Sequence, residues 1–528
     1  MSEHKYKVLI TTSGVGRTLG DFTKNANQSL VRLLKKPILS HIVELYPKDV
    51  EMVVTLGYFG NLVKEFLQLA YPDRKFTFVE VDKYEGEGSS QGYSMLCAKE
   101  HLQCPFIFHA GDTVVLEAVA PPLSGNWVGG FKGEANSNYA SFIELDDTVL
   151  AFSGKGTTDF DLLYIGLAGI KEYEKFWQIL EEAYRSWDKK VSLSDMSVYE
   201  KMIKTGSEFK PVEFKSWLDM GNIESLHKAR KRLGEDLVNL DKAEEATYLF
   251  EDCVIKFMSD SEVVANRVKR AEVLKGLVPK ILASGEHFYK YHFAVGKLYA
   301  RSVTPKDFES FLQWADQNLW KSEQEVSAEE FKKRALDFYE AKTKKRINQF
   351  YEITGIEDQE LVINGQEVQK LSEILNKLDF AWLADGKQTG FHGDFILDNI
   401  IQTPHGYSLL DWRQDFGGLL KAGDMYYDLG KLNHNLTINH DIVYNNLFTV
   451  KARGKIITCD IMRSQNLLNC QKVLHEFILS KGLDLKKVQT ISALIWLNSA
   501  PLHHHPYNFF LHYFGRLNLW LTMNQKTS

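Results

Sequence analysis

The apolar run Val8-Leu9-Ile10 passes directly into Thr11-Thr12-Ser13-Gly14-Val15-Gly16-Arg17-Thr18-Leu19-Gly20. Consecutive apolar residues without polar alternation suit a strand covered on both faces. A glycine-rich turn behind such a strand lets backbone amides approach phosphate oxygens closely. Similar runs follow at Met52-Val53-Val54-Thr55-Leu56 and Phe106-Ile107-Phe108, and between them Asn27 to Tyr46 and Asn61 to Ala70 repeat apolar residues at helical spacing. The repeating unit is strand-helix-strand, which predicts an α/β fold whose N-terminal domain is doubly wound around a mainly parallel sheet. Short alternating strands between Trp127 and Leu167, a helical pattern from Ile170 to Trp187, and a strand and helix from Phe214 to Leu233 carry this domain to about residue 238.

Composition sets the frame for the rest. The chain has 528 residues, 44% apolar and 25% charged, a globular composition that excludes disordered and fibrous classes and calls for more than one core. Lys plus Arg is 63 against 69 Asp plus Glu, net −6 without a single-sign block, so small-molecule substrates and nucleotides are the expected partners, and nucleic acid is not. Oligomeric state is left open. The cysteines Cys97, Cys104, Cys253, Cys459 and Cys470 are scattered, which favours a reducing compartment. The N-terminus enters a strand-like run without a signal-peptide core, and no apolar stretch approaches the roughly 18 residues of a membrane span. A cytoplasmic location is expected.

A second domain is expected from 239 to 528. Ala246 to Phe250 and Cys253 to Phe257 read as strands, Val263 to Leu274 as a charged helix and Tyr289 to Val303 as a further strand pair, a small β lobe over about 239–305. The helical lobe, about 306–528, is expected to hold one strand-turn-strand near Ile400 to Leu410 and otherwise helices. Together these predict a C-terminal bilobal α+β domain.

The glycine loop is followed in order by Val53 to Tyr58, Glu87 to Ser94, Pro105 to Asp112 and Trp217 to Asn222. With these segments the chain, over about residues 6–235, resembles the sugar-nucleotidyltransferase family, pyrophosphorylases with a Rossmann-type domain that join a nucleoside triphosphate to a sugar or amino-alcohol phosphate. The resemblance implies that Asp112 and Asp219 hold Mg2+, that Gly14, Gly16 and Arg17 contact phosphates, that Gly88, Gln91 and Gly92 border base and ribose, and that CTP or another nucleoside triphosphate is bound. Two departures stand out. The pair Arg17-Thr18 transposes the family's order, and Asn27-Gln28 stands where the family has Pro-Lys. Glutamine brings no charge to a transition state that gains negative charge.

The sharpest motif lies downstream, Gly390-Phe391-His392-Gly393-Asp394-Phe395-Ile396-Leu397-Asp398-Asn399-Ile400-Ile401, with Leu409-Leu410-Asp411-Trp412 after a turn at Pro404-His405-Gly406. Asp394 and Asn399 have the spacing of a phosphotransfer loop, in which the aspartate accepts a hydroxyl proton and the asparagine holds metal, and the hairpin returns Asp411 to the same metal. Lys256, in the apolar strand Val254-Ile255-Lys256-Phe257, suits ATP phosphates, with Glu272 as its helix partner and Glu262 nearby. From about 245 to 525 the chain thus resembles the aminoglycoside phosphotransferase and choline kinase superfamily. This likeness implies a protein-kinase-like fold, ATP as donor, Mg2+, a small hydroxyl acceptor, and a loop-bracing acidic residue within Gly423 to Gly430. Trp412, Tyr426, Tyr427 and the aromatics from Trp496 to Trp520 suggest a quaternary-ammonium box but are expected to be core. His503-His504-His505 is read as a loop and not a metal site, since adjacent side chains converge poorly on one ion.

The two halves read together as a bifunctional enzyme. The C-terminal part phosphorylates a small alcohol, amino alcohol or sugar, and the N-terminal part activates the product with a nucleotide, a sequence suited to capsule or other surface-polysaccharide assembly. The alternative is a kinase whose N-terminal domain is catalytically degenerate and serves binding or regulation.

Overall fold

The structure is a computed structural model that describes residues 6–134, 139–189, 192–234 and 244–525. The chain forms two compact units, 1–261 with 282–291, and 262–281 with 292–528. The boundary expected near 238 falls outside the described residues. The strands Glu245–Leu249 and Cys253–Met258, read as the start of the second domain, lie within the first unit.

The first unit is built on a nine-stranded sheet. Strand Lys7–Thr11 pairs in parallel with Met52–Leu56 on one side and Phe106–Ala110 on the other, and Phe76–Glu80 extends the row beyond Met52–Leu56. Leu162–Ile170 then runs antiparallel to Phe106–Ala110 and joins Ser141–Leu145, Thr148–Ser153 and Asn126–Phe131, so the sheet is mixed. Strand periodicity divides the apolar runs between two faces. Val8, Ile10, Met52, Val54 and Ile107 enter one core, whereas Leu9, Val53, Phe106 and Phe108 enter the other. This two-sided burial is why the runs lack polar alternation, and it makes the unit a Rossmann-like layered α/β fold.

The helical pattern expected from Asn27 to Tyr46 is realised only in Ile38–Val43. Ahead of it, Arg32–Leu33 pairs with Lys36–Pro37 through Leu34 at φ 56°. Pro37 lacks the N–H that a longer helix would need, and it stands instead at the helix start, where none is required. The other expected helix forms as Gly60–Ala70.

The second unit contains the helices Pro305–Asn318, Ala328–Thr354, Met425–Thr437, Gln465–Ser480, Leu485–Ser499 and Tyr507–Asn524. Its strand-turn-strand forms as Ile400–Thr403 and Gly406–Leu409, with Lys297–Leu298 added at the edge. The expectation of helices elsewhere is corrected by a four-stranded sheet of Leu361–Ile363, Gln366–Val368, Phe448–Arg453 and Ile456–Ile461. Its longer hairpin turns at Gly454, φ 59°, a left-handed position that costs glycine little. Trp412, Tyr426, Tyr427 and Trp496 are core residues. His503 and His505 meet the rings of Tyr507 and Phe509 edge-on.

Candidate functional site

In the first unit, parallel pairing aligns Thr11 with Thr55 and with Ala110, so the loops that follow these strands leave from one edge. This is the carboxyl edge, at the point where the strand order reverses, the usual ligand crevice of open α/β sheets. The loops meet there without room for side chains: a Cβ on Gly57 would lie 2.5 Å from the Ser13 carbonyl oxygen, and one on Gly111 would lie 2.4 Å from that of Thr11. The buried Asn27 amide donates to the carbonyls of Thr12 (2.8 Å) and Tyr58 (2.6 Å) and locks the glycine loop in place.

Gln28 occupies the loop itself. Gly16, at φ +64°, has space for a Cβ only 2.7 Å from the Gln28 Oε1, and Gly14 faces the Gln28 Nε2. Arg17 is exposed and paired with Glu85, and Thr18 Oγ1 donates to the Gly221 carbonyl at 2.5 Å. The transposed Arg17-Thr18 order therefore ties the loop to the turn that carries Asp219. Ser90 caps Gln91–Cys97, and Gln91 Nε2 donates to Thr11 Oγ1 at 3.1 Å, which brings the Gly88 to Gly92 segment to the end of the first strand.

Asp112 and Asp219 converge. Thr113 pairs with Asp219 across a short antiparallel bridge, and a Cβ on Gly221 would lie 3.1 Å from Asp219 Oδ1 and 3.3 Å from Asp112 Oδ2. Asp219 accepts from the Gly221 amide at 2.9 Å and from the Tyr139 hydroxyl at 2.8 Å. Burial, and then the Asp219 carboxylate, push the Asp112 carboxyl up to about 6, with Lys155 acting the other way. Two converging carboxylates are a donor set that fits Mg2+, which completes its shell with phosphate oxygens and water. Tyr139 and Lys155 carry no motif and were not legible in the sequence.

In the second unit, the helix Met425–Thr437 holds the Gly390 to Ile401 loop. Asp428, Lys431 and Asn435 recur at i, i+3 and i+7, so they share one face. Asp428 accepts from the amides of His392 (2.8 Å) and Gly393 (2.7 Å) and from Trp320 Nε1 (3.2 Å). Lys431 Nζ pairs with Asp394 Oδ1 at 2.8 Å, and Asn435 accepts from the Leu397 amide while donating to Asp398. Asp428 thus braces the loop through two of its amides. Burial pushes its carboxyl up to about 6 against the opposing pull of those amides, Trp320 and Arg270. Burial disfavours the Lys431 ammonium, but Asp394 and then Tyr427 outweigh it and hold its proton affinity above the ordinary lysine value.

Asp394 and Asn399 are brought together: Asn399 Nδ2 donates to the Asp394 carbonyl (3.0 Å) and to its Oδ2 (3.1 Å). The Leu410 amide donates to the Asn399 carbonyl at 2.7 Å and the Arg413 amide to the His392 carbonyl at 3.0 Å, which lays the Asp411 segment along the loop. Asp411 takes φ 56°, uncommon for a residue with a side chain. His392 is buried and driven down to about 4 by that burial, although Asp394 and Asp411 both oppose the change. An oxygen-rich set of Asn399 and Asp411 beside Asp394 is compatible with Mg2+. Arg270, also buried, donates to the carbonyls of Leu420 (3.0 Å) and His392 (3.3 Å) and to those of Phe391 and Arg413. Lys256 and Glu272 fall in different compact units; Lys256 is buried on its strand, and Glu272 is exposed on helix Ser261–Val273.

Comparison with known proteins bears on the first unit. No family model matches the chain. A bifunctional protein GlmU of Methanococcus vannielii is 26% identical over 222 residues, 40% of this chain and 51% of the relative, so the chain spans about half the length of that relative. Among solved structures, the CTP:phosphocholine cytidylyltransferase LicC of Streptococcus pneumoniae is 19% identical and matches 44% of this chain and 100% of its own, with a TM-score of 0.37. A UDP-glucose pyrophosphorylase in complex with UDP-glucose is 15% identical over 44% of this chain and 99% of its own, with a TM-score of 0.38.

Proposed function

We propose that the chain is a bifunctional transferase in which the second unit transfers the γ-phosphoryl group of ATP to a small alcohol, amino alcohol or sugar and the first unit joins the resulting phosphate to a nucleotidyl group. The observation that carries this reading is the Asp394 constellation, in which one helix face braces a loop holding a carboxylate and an asparagine at catalytic spacing. In the transfer, the acceptor oxygen bonds to the γ-phosphorus, the bond from that phosphorus to the β-γ bridging oxygen breaks, the hydroxyl proton passes to Asp394, and ADP leaves. Asn399 and Asp411 would hold Mg2+, which neutralises phosphate charge when bound. In the first unit, an oxygen of the phosphorylated acceptor attacks the α-phosphorus of CTP or another nucleoside triphosphate and pyrophosphate leaves, with Asp112 and Asp219 as the metal-holding pair. A soluble activated donor of this kind suits capsule or other surface-polysaccharide assembly.

A second reading, a kinase with a degenerate first unit, is favoured by Gln28 lying over Gly14 and Gly16 and by Arg17 being paired with Glu85. One experiment separates them: small alcohols and sugars are offered with ATP, and the products are then offered with CTP, UTP, GTP and dTTP while pyrophosphate is followed. Asp394→Asn should abolish the first step, and unchanged turnover would sink the kinase assignment. Pyrophosphate release that disappears in Asp112→Ala supports the bifunctional reading; its absence in the unaltered protein and appearance in Gln28→Lys supports the degenerate one.

A further inference from the structure

On the side of the Asp394 site lined by the long helix Ala328–Thr354, the cations Lys342, Arg413 and Lys431 gather around the Asp394 carboxylate. Lys342 Nζ stands 4.4 Å from the centre of the Phe338 ring and 5.6 Å from that of Tyr427. The Arg413 guanidinium lies 5.0 Å from the same Phe338 ring, and its side chain packs on the residue before Asp394, since a Cβ on Gly393 would come 2.6 Å from that of Arg413. Arg413 donates through Nε to the Asp415 carbonyl at 2.9 Å. Its terminal nitrogens and the Lys342 ammonium have no hydrogen-bond acceptor or ion-pair partner among the described residues.

Two cations that share one ring repel each other. A cation over an aromatic face gains only a modest attraction, which does not replace a counterion. Burial, followed by Arg413, Lys431 and Arg346, drives the Lys342 proton affinity well below the ordinary lysine value, and Asp394 opposes this. Asp394 is already paired with Lys431. The Lys342 and Arg413 side chains are both half-buried, so the pair is open to solvent and to a further anion. It is also hostile to a quaternary ammonium or an amino alcohol, whose positive charge would face Lys342, Arg413 and Lys431 together.

We propose that the acceptor phosphorylated at Asp394 is an anionic alcohol, a small hydroxyl compound bearing a phosphate or carboxylate group, and that Lys342 and Arg413 bind that group. This rests on the phosphotransfer reading of the Asp394 site and narrows its acceptor class. The competing assignment of these cations is the γ-phosphate of the donor.

The test is calorimetric titration of the full chain, with the donor site saturated by Mg2+ and a non-hydrolysable ATP analogue, using glycerol 3-phosphate, D-glycerate, inorganic phosphate and glycerol. Binding of the anionic compounds but not of glycerol is expected; phosphate against glycerate distinguishes the two anion types. Lys342→Met should weaken anion binding at least about tenfold, and Lys342→Arg should restore part of it. The affinity for the ATP analogue should be unchanged. The methionine variant should keep or raise the thermal midpoint, because it removes one of two cations that repel each other over Phe338. Glycerol binding as well as glycerol 3-phosphate, anion binding indifferent to Lys342→Met, or a loss confined to the ATP analogue would each overturn the proposal, as would a lowered midpoint with unchanged anion affinity. Failure of the underlying reading looks different: anions bind through Lys342, yet ATP transfers nothing to any bound alcohol.

Discussion

Asp428 is the residue on which the second site depends most. It is fully buried and accepts two loop amides and an indole N–H while facing Arg270. Removing one partner of such a buried, hydrogen-bonded charge set costs about 3–5 kcal/mol. Asp428→Ala is therefore expected to lower the denaturation midpoint of the second unit and to abolish phosphotransfer even where Asp394 is intact; near-native stability would refute this role. A second residue sets a pH dependence. His512 stacks on Phe350 at 4.3 Å, and burial drives it down to about 3. The unfolded chain then binds a proton near pH 6.5 that the folded chain refuses, so stability present above pH 6.5 declines as pH falls toward 3, at about 1.4 kcal/mol per tenfold difference in affinity. Asp424 and Asp428, pushed up to about 6, act oppositely and gain stability on acidification. His512→Phe keeps the stack and should make the thermal midpoint fall less between about pH 6.5 and pH 5 than in the unaltered protein. At this scale the spacing of Asp394, Asn399 and Asp411 was legible in the sequence, because neighbours on a short loop and hairpin are brought together by local geometry. Lys431 and Arg413 were not, since their partners arrive from other elements, and the Phe338 ring beside Lys342 marks nothing until Arg413 reaches it.

Among the elements, the helix Met425–Thr437 turns one side to the Gly390 to Ile401 loop and another to Leu485–Ser499. That second contact depends on Gly430, where a Cβ would come 2.5 Å from Ile491 Cγ2. Gly430→Val should overpack the contact and cost about 1–3 kcal/mol. Because Asp428 and Lys431 flank the glycine, phosphotransfer should fall with it, measured as kcat beside the unfolding midpoint; a normal kcat would uncouple packing from loop position. The polar stripe of Asp428, Lys431 and Asn435 on an otherwise buried helix was a readable periodic signal that the local reading of Gly423 to Gly430 stopped short of using. The stretch from Asn27 to Tyr46 failed for another reason. Its apolar spacing fits a helix, but the buried Asn27 amide bonds the carbonyls of Thr12 and Tyr58, and tertiary bonding overrides propensity there.

For the whole molecule, the strands after Glu244 complete the first core. Tyr248, Ile255, Phe257 and Phe288 join the cluster that contains Val8 and Ile10, the Tyr248 hydroxyl donates to the Leu30 carbonyl at 2.6 Å, and Glu65 accepts from the amides of His287 and Phe288. Each large apolar side chain buried in this way contributes roughly 1.5–3 kcal/mol. A chain ending at Gly234 should accordingly be far less stable than one ending at Tyr291, compared by thermal unfolding and dispersion of amide resonances; equal stability would show these strands to be dispensable.

What the sequence by itself determined is local: runs of apolar residues that can only be covered on both faces, glycines where loops approach closely, and the Asp394 motif, whose members lie within a few residues of one another. Tertiary structure alone decided which unit claims the strands from 245 to 258, that Gln28 fills the glycine loop while Thr18 ties it to Gly221, and that Lys342 and Arg413 meet over Phe338. Those outcomes depend on packing between segments far apart in the chain, and chain order carries no measure of which distant surfaces bury the most apolar area or leave a charge without its counterion.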